Sequence, residues 1–274
     1  MKTRRTNCMA ARGRLFLQAG GLGLLLAGAA PAQPGPLVGD RPDFTEATVT
    51  VGRGVMQIEF GYTLEYDGPR DDGVWAHSLG EPLLRAGLLA DWLELRLGVS
   101  PVVERTGGDG RSLSETGMED LYLGMKVALA EQEGIRPAVA LIPQVTLATG
   151  SDAFTSGLTL PGVNLTYSWD VTGEFSLAGS TQVNRAAGAS GGGYPEWAQS
   201  VAAGLAVGAR TGLYAEWYAF FHREPGDPGT EHYANGGLTR LLAEDLQWDI
   251  RAGVGLNESA GDLYFGTGAS LRVP

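Results

Sequence analysis

Period-two alternation is the feature that most narrows what this chain can become. From Met56 to Tyr66 the sequence reads Met-Gln-Ile-Glu-Phe-Gly-Tyr-Thr-Leu-Glu-Tyr. Every second residue is large and apolar or aromatic, and each residue between is polar or glycine. Successive side chains of a strand leave opposite faces, so this segment has one apolar and one polar face. The pattern returns along the chain. Leu93, Leu95, Leu97 and Val99 alternate with Glu94, Arg96 and Gly98, and Leu121, Leu123, Met125 and Val127 with Tyr122, Gly124 and Lys126. Ala215, Trp217 and Ala219 alternate with Glu216 and Tyr218, and Trp248, Ile250 and Ala252 with Asp249 and Arg251.

The spacing predicts twelve strands, near 55–66, 75–88, 92–102, 118–129, 135–148, 160–169, 174–183, 197–208, 211–221, 232–242, 246–256 and 262–272. Their length is that of tilted membrane-spanning strands, about 10 residues or slightly more. The connections at 88–91, 130–134, 170–173, 209–210 and 243–245 are short, whereas those at 67–74, 103–117, 149–159, 184–196, 222–231 and 257–261 are mostly longer. Such sorting by parity is expected of short periplasmic turns and long outer loops. The expected fold is therefore all-β: an antiparallel up-and-down transmembrane β-barrel of about twelve strands, in the outer membrane of a Gram-negative bacterium. Outer-membrane lipid is then a partner, and the barrel assembly machinery is expected to insert the chain.

Charge on the polar faces supports this reading. Glu94, Arg96, Lys126, Glu216, Asp249 and Arg251 all fall there and are the lumen-facing candidates. A small soluble barrel would fill its interior with apolar side chains instead. The six could form a constriction that selects solutes, or a cross-strand ion-pair network that stiffens a narrow barrel. Trp92, Trp169 and Trp248 lie beside expected turns and Trp75 and Trp197 near the opposite rim, as interfacial girdles would.

The chain divides into a leader at 1–32, a periplasmic N-terminal segment at 33–54 and the barrel at 55–274. The leader has Lys2, Arg4, Arg5, Arg12 and Arg14, a largely apolar stretch from Leu15 to Ala27, and a small-residue cleavage site at Ala30-Pro31-Ala32. Its removal takes five basic residues and Cys8, leaving fifteen basic against 31 acidic residues and no cysteine. So acidic a chain is a poor partner for nucleic acid, and thiol chemistry is excluded after processing. Within the N-terminal segment, Asp40, Arg41, Asp43 and Glu46 precede the first strand. They read either as a plug or partner handle, or as a tether packed in the barrel floor with Arg41 paired to an acid.

Several stretches together resemble a known family. They are Asp40-Arg41-Pro42-Asp43-Phe44-Thr45-Glu46, then Gln57-Ile58-Glu59-Phe60-Gly61-Tyr62, Arg85-Ala86-Gly87-Leu88 and Glu119-Asp120-Leu121-Tyr122-Leu123-Gly124-Met125-Lys126. Thr149-Gly150-Ser151, Tyr167-Ser168-Trp169-Asp170 and Ala252-Gly253-Val254-Gly255-Leu256-Asn257 continue the likeness. This is similar to the outer-membrane transporters grouped under the meta-pathway of phenol degradation. The resemblance implies a barrel that moves small, often aromatic, compounds. The closing Leu271-Arg272-Val273-Pro274 departs from the terminal aromatic residue usual in such barrels.

Other chemistry finds little support. Asp67, Asp71 and Asp72 lie in one loop, but their spacing is not that of an EF-hand, and a solvated acidic loop is expected. The glycine-rich stretch at 188–193 lacks a following Gly-Lys-Ser/Thr and reads as an outer loop. His77 and Ser78 are adjacent in a strand and so face opposite ways, while His222 and His232 flank one loop and could approach each other. No metal-ligand spacing appears, and no metal or cofactor is expected. Three functions stay open: a channel or transporter for small, hydrophobic or aromatic compounds; a closed barrel with a structural or loop-mediated binding role; and an outer-membrane hydrolase, against which the histidine geometry speaks.

Overall fold

The computed structural model describes residues 37–69, 73–99, 102–107, 114–188, 191–222 and 229–273. The expected leader, Asp71 and Asp72 of the acidic loop, and Pro274 lie outside them. The strands are β1 (Met56–Asp67), β2 (Val74–Ala86), β3 (Leu93–Gly98), β4 (Val102–Gly107), β5 (Ser114–Gly117), β6 (Leu121–Ala130) and β7 (Ala138–Leu147). They continue with β8 (Leu160–Asp170), β9 (Phe175–Ala187), β10 (Gly193–Ala206), β11 (Thr211–His222), β12 (Thr230–Ala243), β13 (Leu246–Gly255) and β14 (Leu263–Val273).

Every pairing is antiparallel, and β1 pairs with both β2 and β14, so the sheet closes on itself. The closing register sets Met56 opposite Val273 and Tyr66 opposite Leu263. β3 and β4 both lie along β2, and β6 and β5 lie along β3 and β4 in turn. The fourteen segments therefore make the twelve staves of a closed antiparallel barrel. Where β5 gives way to β6, residues 118–121 bond outside the ladder. Met118 exchanges hydrogen bonds with Ser151, and the Leu121 N–H donates to Thr149 Oγ1, so the 148–159 loop is knitted into the wall there.

Two of the outer connections are much shorter than the sequence predicts. The expected loop at 184–196 shrinks to 188–192, because β9 and β10 run on as a hairpin. Most of the expected loop at 103–117 is likewise β4 and β5. The turns on the opposite side run from Glu244–Asp245 up to 131–137, so loop length separates the two ends only weakly.

The barrel is polar inside and apolar outside. Phe60, Leu95, Leu97, Leu123, Leu165, Val201, Trp248 and Phe265 are exposed on the outer face, while Glu59, Arg85, Glu94, Lys126 and Asp249 are buried within the ring. Backbone groups satisfied around a closed ring, beneath an apolar exterior, are what a bilayer requires of a β-protein. Among the described residues no helix is long and apolar enough to cross a membrane.

Candidate functional site: the filled lumen

Residues 37–55 have no regular secondary structure, yet eight of the nineteen are buried and only four are exposed. Their hydrogen bonds reach strands all round the circumference. The Asp40 and Arg41 N–H groups donate to Glu59 of β1 at 2.9 and 3.0 Å. Val51 N–H donates to Glu94 of β3 at 2.9 Å, and Lys126 of β6 donates to Asp40 at 2.8 Å. Thr48 bonds Ser168 of β8, Thr45 bonds Ser200 of β10, and Phe44 and Thr45 N–H donate to Glu216 of β11 at 2.8 and 2.7 Å. Arg251 of β13 donates to the Pro42 carbonyl at 3.0 Å. Only a chain inside the ring can touch so many staves, so residues 37–55 form a plug in the lumen. It starts near the floor, where Gln57 and Arg85 bond the Val38 carbonyl. It rises to Phe44, beyond the middle of β11, and descends again to Val51.

The chemistry of the fit is complementary. Wall carboxylates accept the backbone N–H groups that the irregular segment cannot pair within itself, and wall cations donate to its carboxylates and carbonyls. Burying such groups unpaired would cost several kcal/mol, roughly 2–7 for each neutral one. Asp40 is the hub. Its carboxylate meets Arg85, Arg96 and Lys126 and also accepts from Ala47 N–H, which closes the plug's own turn. Burial pushes the Asp40 carboxyl up, but Arg85, Lys126 and Arg96 outweigh burial and hold it well below the usual carboxylate range. Asp43 goes the other way: burial, and then the neighbouring Glu216 carboxylate, push it well above that range.

Arg41 is the second anchor. Its guanidinium bonds Glu81 at 2.8 Å and takes both oxygens of Asp249 at 3.2 Å. The paired Gly61 and Gly268 of β1 and β14 make room for it: a Cβ at either would stand 2.4 Å from an Arg41 nitrogen. Glu81 reaches Arg41 from a β-bulge in β2. The register slips between Glu59 and Gly61, and Glu81 adopts φ 27°, sparsely populated by residues with a side chain.

All six lumen candidates thus bond the plug directly, Glu94 through Val51, Arg96 through Asp40 and Glu46, Lys126 through Asp40, Glu216 through Phe44 and Thr45, Asp249 through Arg41, and Arg251 through Pro42. Glu46 also accepts from Asn164 of β8. Arg41 pairs with Glu81 and Asp249 of the wall. The sequence reading omitted Glu59, Glu81 and Arg85 from the candidate set. Glu59 and Arg85 carry the same alternation signal as the chosen six, whereas the bulge hides Glu81.

Above the charged layer the lumen turns aromatic. Phe44 stacks on Tyr218 at 4.6 Å and 11°, and Tyr218 stacks on Tyr233 at 4.9 Å and 12°. Phe220 stands edge-on to Phe44 at 5.4 Å, and Tyr218 Oη donates to Tyr264 Oη at 3.2 Å. The histidines do not converge. His222 is buried inside near Glu196 and Tyr194, whereas His232 packs on Trp217 and Phe221 of the outer face, across the wall. His77 also faces outward, bonded to Tyr62. Among the described residues no group of three or more His, Cys, Asp or Glu could hold a metal ion.

A family model described as "Putative MetA-pathway of phenol degradation" matches residues 39–273. No curated protein matches the chain. Among solved structures, an outer-membrane channel from Pseudomonas putida F1 is similar at 12% identity and a TM-score of 0.63, covering 82% of this chain and 98% of that one. The NanC porin is similar at 9% identity and a TM-score of 0.51, covering 80% and 100%. The translocator domain of autotransporter NalP from Neisseria meningitidis follows at 10% identity and 0.50, covering 81% and 89%. Likeness at such identity concerns the fold alone.

Proposed function

Since this chain belongs to that phenol-degradation family and is an outer-membrane barrel of the channel and transporter kind, we propose that it passes small neutral solutes, hydrophobic or aromatic, and that residues 37–55 are its gate. The carrying observation is that the plug takes up the lumen charges. Arg96, Lys126 and Asp249 pair with its opposite charges, while Glu94 and Glu216 accept from its backbone N–H groups and Arg251 donates to its Pro42 carbonyl. Such groups do not line an open, ion-selective ring in this state; passage requires the plug to shift. The aromatic layer above offers uncharged solutes a surface that hydrated ions lack.

Removal of residues 1–32 and insertion by the barrel assembly machinery complete this reading, with lipid against the apolar exterior. A closed barrel with a structural role is the second reading, favoured by how thoroughly buried ion pairs tie the plug to the wall. Planar-bilayer recording of the refolded mature protein separates the two. The gate reading expects rare openings in the wild type and frequent ones in Arg41→Ala. Well-folded Arg41→Ala protein that stays silent would favour the closed barrel.

A further inference from the structure

Most of the plug is held by charge and backbone hydrogen bonds, but its apex is held by a ring. Phe44 is half-buried, lies nearly parallel to Tyr218, and has the edge of Phe220 beside it. Tyr218 is fully buried, with Phe44 over one face of its ring and Tyr233 against the other. The tyrosine side of the stack is fixed from behind, by the Tyr218–Tyr264 hydroxyl bond and by Tyr233, whose hydroxyl bonds Glu231 and the Gly261 N–H. Tyr218, Tyr233 and Tyr264 belong to the wall, whereas Phe44 belongs to a segment without regular structure. The stack is thus a platform of the wall on which one ring of the plug is laid.

Taking the Phe44 ring away would uncover one flat face of Tyr218, flanked by the Phe220 edge. That space matches one planar aromatic ring, because stacked and edge-on geometries both favour an aromatic occupant over a saturated one of equal size. We propose that Tyr218 and Phe220 form a binding site for a single uncharged aromatic ring, and that Phe44 occupies it as an internal surrogate. An aromatic solute then competes with Phe44. This rests on the gate reading only for its consequence, which is that such competition loosens the plug at its apex.

The test is calorimetric titration of the full mature protein, folded in detergent, with phenol as probe and cyclohexanol as the saturated control for uptake by micelles. Phe44→Ala should bind phenol at least tenfold more tightly than wild type, with cyclohexanol unchanged. Phe44→Leu, which refills the space without a ring, should give an intermediate affinity. Adding Tyr218→Leu to Phe44→Ala should remove the gain. A mobility shift on boiling shows that each variant is folded, and Phe220→Leu in the Phe44→Ala background serves if the Tyr218 variant is not. Equal phenol affinity in wild type and Phe44→Ala, or equal gains for phenol and cyclohexanol, would overturn the site. Conductance of Arg41→Ala reports on the gate independently of any phenol binding, so the two readings fail separately.

Discussion

Arg41 lies between Glu81 and Asp249 with its guanidinium laid over Gly61 and Gly268. Arg41→Ala takes the bonded cation from two buried carboxylates, a loss typically of about 3–5 kcal/mol when one partner of a buried pair is removed. Since the plug carries the missing charge, the cost falls on plug docking, and faster hydrogen exchange at the Asp40, Phe44 and Thr45 amides should report it. Arg41→Lys should rescue little, because an ammonium cannot span Glu81 and both oxygens of Asp249. The two plug acids carry opposite pH signs. Asp40, held low, strengthens docking above its undocked value, about 4, and that share is lost as pH falls through its docked value. Asp43, pushed high, favours docking below about pH 4 and loses that share as pH rises towards its docked value. At neutral pH Asp40→Asn should therefore speed exchange of the plug amides, and Asp43→Asn should slow it. Both variants moving the same way would contradict the assignment. These residues were legible in part. An arginine among acids drew notice, but nothing in the sequence couples Arg41 to an aspartate 208 positions away.

Among the elements, the staves follow the alternation closely because one face of each meets lipid and the other the lumen. β1, β8, β11, β13 and β14 begin and end within a residue or two of expectation. The signal fades where a strand passes beyond the apolar belt. β4 carries Glu104, Arg105 and Thr106 in succession, so nothing there distinguishes strand from loop. The same holds for residues 37–55, which lack any period. Between β5 and β6, Asp120 fastens the neighbouring loop by accepting from Thr149, Gly150 and Ser156 N–H and from Ser156 Oγ at 2.9–3.0 Å. Hydrogen bonds to a charged group are worth about 1.5–3 kcal/mol each. Asp120→Ala should therefore raise amide exchange at Thr149, Gly150 and Ser156 at least tenfold while the thermal midpoint of the barrel hardly moves. Unchanged protection at those amides would show that the loop is held by other contacts.

For the whole molecule, polarity is inverted relative to a soluble barrel, with charge inside and leucine, phenylalanine and tryptophan outside. The plug resolves the consequence of that inversion, since a narrow ring of buried charges needs counter-charges and backbone donors within reach. The account therefore turns on whether residues 37–55 block the lumen reversibly. Thr48 Oγ1 lies 2.9 Å from Ser168 Oγ. Cysteines at these two positions can lock the plug to β8, and processing would leave no other thiol in the chain. The deciding measurement is single-channel conductance of the Thr48→Cys/Ser168→Cys protein, oxidised and then reduced on the same membrane. A gate predicts silence when oxidised and openings on reduction. Identical conductance in the two states would contradict it.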